Sequence, residues 1–146
     1  MPILNTITKK VTKPMPKLLS PKAHAVVDYL VAGSFLTLGA LFWRRNKRAA
    51  LSAFICGGSE LALNLLTDYP GGVKKIISFP LHRDLDLGLA GMTALMPDFM
   101  GVDDSAQKAV FLMHGAGITA ATNLTEFRKR RRAEKKNSRG WLRKAA

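Results

Sequence analysis

The stretch LNLLTDYPGG (residues 63–72) closes one apolar run, and TNLTEFRKR (residues 122–130) closes another. Both end on leucine, threonine, an acid and an aromatic: Leu66-Thr67-Asp68-Tyr69 and Leu124-Thr125-Glu126-Phe127. The endings are 58 residues apart (66 to 124), and at that offset the chain aligns on itself without a gap. His24 falls on His82, Asp28 on Asp86, Ala32-Gly33 on Ala90-Gly91, Gly57 on Gly115 and Ala62 on Ala120. Self-similarity at a fixed period marks an architecture built from one repeated unit. Here the unit reads as a helix pair. His-x3-Asp opens its first helix and Thr-acid-aromatic closes its second, over residues 23–69 and again over 81–127.

Four apolar runs carry these helices. Residues 23–43 hold no charge from Tyr29 to Trp43, and at 1.5 Å per residue they reach about 30 Å, the depth of a bilayer core. Ser20-Pro21 supplies an N-cap and a first-turn proline, and RRNKR (residues 44–48) stops the run. Residues 49–67 form the second run, with Glu60 and Asn64 on one face, directed to the bundle or to a subunit contact. Proline and two glycines at residues 70–72 end it. A short link, residues 73–80, follows. The third run (81–102) has acids near its start and Pro97 near its end. The fourth (109–125) carries His114 and follows a cap at Asp104 or Ser105. Paired small residues, Gly57-Gly58 and Gly115-Ala116-Gly117, suit close helix approach in lipid.

The net charge of +13 is unevenly spread. Residues 1–22 carry five lysines and no acid, residues 128–146 carry ten Lys/Arg and one Glu, and the centre has eight Lys/Arg against nine acids. Two basic tails thus flank a near-neutral apolar domain of residues 23–127. Basic flanks beside apolar helices indicate anionic lipid or the acidic face of a partner. Arg128, Lys129, Arg130, Arg131, Arg132 and Trp141 are the contact candidates. Nucleic acid is disfavoured, because no aromatic-interleaved basic platform occurs. One cysteine, Cys56, excludes an internal disulfide, and no signal peptide is evident.

The segments AHAVVDYLVAG, LLTDYPGGVKKIISFPLHRDLDLGLAG and NLTEF resemble the SPW-repeat family of small bacterial membrane proteins. The resemblance spans residues 23–127. The Ser-Pro-Trp that names the family would fall at Leu38-Gly39-Ala40 and Met96-Pro97-Asp98, where only Pro97 is kept. The resemblance implies a membrane-embedded helical fold and no settled activity.

The expectation is an all-α bundle of four transmembrane helices, two tandem hairpins related by a pseudo-two-fold axis along the membrane normal. It would lie in a bacterial inner membrane. The larger basic total places both termini in the cytoplasm, although residues 44–48 oppose that orientation. His24, Asp28, Asp68, His82, Asp86 and Glu126 then fall in one layer near the cytoplasmic face. His and Asp at i and i+4 share a helix face. Three readings apply to this layer: a hydrogen-bonded structural layer, a divalent-metal or haem site, or acid/base chemistry on a lipid headgroup. His114 reads as bonded to a neighbouring helix or as a haem or pigment ligand. The favoured function is a non-enzymatic accessory or structural subunit of a larger membrane complex. The alternatives are a cofactor-binding membrane protein, a lipid-headgroup enzyme, and a soluble helical bundle.

Overall fold

A computed structural model describes residues 16–127 of the chain. It is an all-α four-helix bundle: α1 (Pro21–Phe42), α2 (Lys47–Leu66), α3 (Phe79–Phe99) and α4 (Ser105–Leu124). Helices α1 and α2 pack as one hairpin and α3 and α4 as another, with lighter contact between the two pairs.

The helix starts follow from local chemistry. Ser20 Oγ accepts from the Ala23 amide with Pro21 in the first turn, and Asp104 accepts from Gln107. Asn46 caps α2 by accepting from the Arg48 and Ala49 amides. Ser78 caps α3 by accepting from Leu81, so this helix begins inside the apparent link, at Phe79. Pro97 does not end α3, which runs on to Phe99. A proline so near the C-terminus removes a single amide donor, and the Pro97 carbonyl is taken up by the Val102 amide at 2.8 Å.

Two glycines let the helices of each hairpin touch. A Cβ on Gly57 would lie 2.9 Å from Phe35 Cβ and 3.1 Å from the Ala32 carbonyl. A Cβ on Gly115 would lie 2.7 Å from the Ala90 carbonyl. Beyond these contacts an apolar cluster of Phe35, Ala53, Cys56, Met96 and Phe111 fills the centre of the bundle.

The ends of α2 and α4 explain the repeated Leu-Thr-acid-aromatic. Thr67 and Thr125 are C-caps with extended backbone. Past each cap the chain runs briefly parallel to the segment before a helix start: Thr67 bridges Ile77, and Thr125 bridges Leu19. The amides of Ile76 and Ile77 both reach the Leu66 carbonyl, and those of Leu18 and Leu19 both reach that of Leu124. In extended chain successive side chains alternate sides. Threonine and aromatic therefore turn inward, and the acid between them turns out.

Helices α1 and α2 are long and apolar enough to cross a membrane; α3 and α4 fall short of that measure. Apolar side chains lie on the surface as well as in the core, and several ionisable ones are buried. Leu30, Leu41, Leu95, Phe99, Leu112 and Met113 are exposed, while His24, Asp28, Glu60, Asn64, His82 and Asp86 are buried.

Candidate metal centre

His24 and Asp28 lie one turn apart on α1, and His82 and Asp86 one turn apart on α3. The four side chains meet between the hairpins, with one ligand atom from each within 4.8 Å of every other. His24 Nε2 and His82 Nε2 are 3.3 Å apart. Asp28 Oδ2 is 3.4 Å from the first and 3.3 Å from the second, and Asp86 Oδ2 is 3.7 Å from His24 Nε2. None of the four residues is more than 3% exposed.

The protonation pattern of the histidines follows from their other nitrogens. Thr125 Oγ1 donates its single proton to the Ala121 carbonyl at 2.6 Å, and Thr67 Oγ1 donates to Leu63 at 2.7 Å. A hydroxyl has one proton to give, so each threonine oxygen accepts from the imidazole beside it. His24 Nδ1 is 2.9 Å from Thr125 Oγ1, and His82 Nδ1 is 2.8 Å from Thr67 Oγ1. Both Nδ1 atoms are therefore donors, and in the neutral ring Nε2 presents a lone pair. Both lone pairs face the centre.

The carboxylates are steered in the same way. Asp86 Oδ2 accepts from Thr122 Oγ1. Asp28 Oδ2 accepts from the Tyr69 hydroxyl at 3.3 Å. Burial pushes the Tyr69 phenol well up, and Asp28 adds to the shift, so Tyr69 stays a donor. Four acceptor atoms thus converge on one point with their outer sides held by hydroxyls. Buried acceptors in such proximity are stabilised by a bound proton or a metal ion.

The separations are long for charged hydrogen bonds. A charge-assisted N–H···O bond closes to about 2.7–2.9 Å, whereas these N···O distances are 3.3, 3.4 and 3.7 Å. Tetrahedral coordination with bonds of about 2.0–2.2 Å puts neighbouring ligand atoms about 3.3–3.5 Å apart. Two imidazoles and two carboxylates are a fitting donor set for a first-row divalent ion.

Aromatic rings cover the end of the site where α1 and α3 begin. The Phe79 centroid lies 4.5 Å from that of Phe127 and 5.9 Å from His82, Phe127 stands 5.3 Å from His24, and Tyr69 stands 5.2 Å from His82. Phe79 reads as part of a surface link in the sequence; its place in the lid depends on Ser78 starting the helix early.

Of the six residues expected in the layer, Asp68 and Glu126 stand apart. Both are exposed, and Asp68 faces Lys75 at 3.5 Å in solvent. The extended backbone after each C-cap turns them out and sends the threonines in. Thr67, Thr122 and Thr125 are the supporting residues instead, and the Leu-Thr repeat is the signal that marks two of them. His114 belongs to no cluster. Its Nε2 is 2.9 Å from Ser34 Oγ, its Nδ1 is 2.8 Å from the Val110 carbonyl, and its ring packs on Phe35. Both nitrogens are engaged, which leaves none for a haem or pigment. Arg128, Lys129, Arg130, Arg131, Arg132 and Trp141 lie outside the described residues.

No protein-family model, no curated protein and no solved structure matches this chain.

Proposed function

We propose that this chain is a small integral membrane protein whose bundle holds one divalent transition-metal ion between His24, Asp28, His82 and Asp86, zinc being the best geometric fit. The observation that carries the reading is the convergence of four buried acceptor atoms within 4.8 Å of one another, with His24, His82 and Asp28 at mutual separations of 3.3–3.4 Å. All four positions are protein ligands and an aromatic lid excludes water. Closed sites of this kind are structural, whereas catalytic zinc keeps an open position. The ion would join the two hairpins, in keeping with a non-enzymatic accessory or structural subunit.

The apolar exterior and ionisable interior support a bilayer setting, because intramembrane ionisable groups face the bundle interior. We read all four helices as spanning. The matching caps, bridges and glycine contacts at a 58-residue offset (His24 to His82) support two tandem hairpins related by a pseudo-two-fold axis along the membrane normal, as the SPW-repeat resemblance implies. Both termini then lie in the cytoplasm of a bacterial cell, with the basic tails against anionic lipid or an acidic partner.

Elemental analysis of the detergent-purified chain tests the metal, with cobalt substitution to read geometry. About one ion per chain and the intense visible bands of tetrahedral cobalt are expected. A metal-free wild-type protein that also fails to take up cobalt would sink the reading. Release of the chain from membranes by alkaline carbonate would overturn the four-span placement.

A further inference from the structure

Five buried side-chain polar atoms have no hydrogen-bond partner among the described residues: Glu60 Oε1 and Oε2, Asn64 Oδ1 and Nδ2, and Asp86 Oδ1. They belong to three residues, none more than 2% exposed. A buried polar group without a partner is costly, and more so when charged, so native interiors rarely collect five.

The three residues adjoin the metal centre. Glu60, Asn64 and Thr67 follow at i, i+4 and i+7 on α2 and so share one face. Thr67 touches His82 at 2.8 Å, which fixes the level of α2 against α3. One turn into the bundle from Thr67 is Asn64, and one turn in from His82 is Asp86, so the two lie at the same level of α2 and α3. Glu60 is one turn deeper on the same face of α2, with both carboxylate oxygens buried and unpartnered. Asp86 divides its two oxygens: Oδ2 faces His24 and accepts from Thr122, while Oδ1 is unpartnered.

The unpartnered oxygens of Glu60, Asn64 and Asp86 are the donor type preferred by hard divalent cations such as manganese or magnesium rather than zinc.

We propose a second, oxygen-donor subsite for a hard divalent cation, formed by Glu60, Asn64 Oδ1 and Asp86 Oδ1, with Asp86 bridging it to the histidine-bound ion. This rests on the metal reading of the His–Asp centre. It makes the bundle a two-ion site with unlike positions, because the residue 58 places on from Glu60 is Ile118.

The experiment loads the purified full chain with zinc, removes the excess, adds manganese and counts both metals after desalting, with manganese also read by electron paramagnetic resonance. Wild type should hold one zinc and one manganese per chain. Glu60→Gln, nearly isosteric and relieved of a buried charge, should keep its zinc and lose the manganese; Asn64→Ala should weaken manganese binding at least tenfold. Wild type that keeps zinc but binds no manganese overturns the second subsite and leaves the first standing. Equal manganese in wild type and Glu60→Gln also overturns it. Wild type that binds no zinc removes the first reading, and this one with it.

Discussion

His24 and Thr125 are 101 positions apart in the chain, and 2.9 Å separates the imidazole Nδ1 from the threonine oxygen. The reciprocal pair, His82 and Thr67, closes to 2.8 Å. Each bond crosses from one hairpin to the other, so each hairpin orients the inward-facing Nε2 of its partner. Hydrogen bonds of this kind set ring orientation and ligand basicity, and their loss typically costs 10–100-fold in metal affinity. Thr125→Val and Thr67→Val should each weaken zinc binding by about that factor, while the serine variants restore most of it. Competition against a chromophoric chelator measures this. Equal affinity in the valine and wild-type proteins would show that the threonines only pack.

Metal removal should lower stability. An ion bound only by the folded state at a hundred times its Kd contributes about 2.7 kcal/mol. A chelator should therefore lower the melting temperature of the wild-type protein in detergent. The same chelator should leave His82→Ala unmoved, because that variant has already lost a ligand. A wild-type melt indifferent to both chelator and added zinc would contradict the staple role.

Gly115 and Gly91 provide a paired test of hairpin packing. A Cβ at Gly115 meets the Ala90 carbonyl at 2.7 Å, and a Cβ at Gly91 meets nothing within 4 Å. Gly115→Ala should destabilise by about 1–3 kcal/mol through overpacking. Gly91→Ala should be neutral or stabilising by up to about 1 kcal/mol, since alanine is the better helix former. Denaturant titration in mild detergent separates the two. Similar losses at both sites would argue against the close α3–α4 approach.

Tyr69 confers an alkaline dependence whose sign is fixed. Burial, and then Asp28, raise its phenol above the ordinary value, so the fold favours the protonated form. Unfolded tyrosine titrates near about pH 10. The contribution of Tyr69 is thus complete below that pH and is lost progressively as pH rises further. Tyr69→Phe lacks this term. The wild-type melting temperature should fall relative to that of Tyr69→Phe between about pH 9 and 11, while parallel curves would place the hydroxyl in water.

Much of this was legible before any coordinates. His24, Asp28, His82 and Asp86 stand out because polar residues at matched positions of otherwise diverged apolar runs are conspicuous. Caps such as Ser20 and Asp104 show in the sequence because an N-cap depends on three or four consecutive residues. Asp68 and Glu126 mislead for a definite reason. Whether a residue one place past a helix end faces in or out depends on backbone alternation, and that alternation is set by bridges to Leu19 and Ile77 from distant parts of the chain.

The sequence alone determined the helices, their number and the repeated His-x3-Asp and Leu-Thr elements, because periodicity and capping are local properties. Only the tertiary structure decided that the histidines point at each other across hairpins, that threonines rather than acids support them, and that Glu60 and Asn64 are buried without hydrogen-bond partners among the described residues. Those outcomes depend on the level at which one helix packs against another. That level is set by close contacts at Gly57 and Gly115 and by the crossed His–Thr bonds, which join residues too far apart in the chain for any local pattern to register.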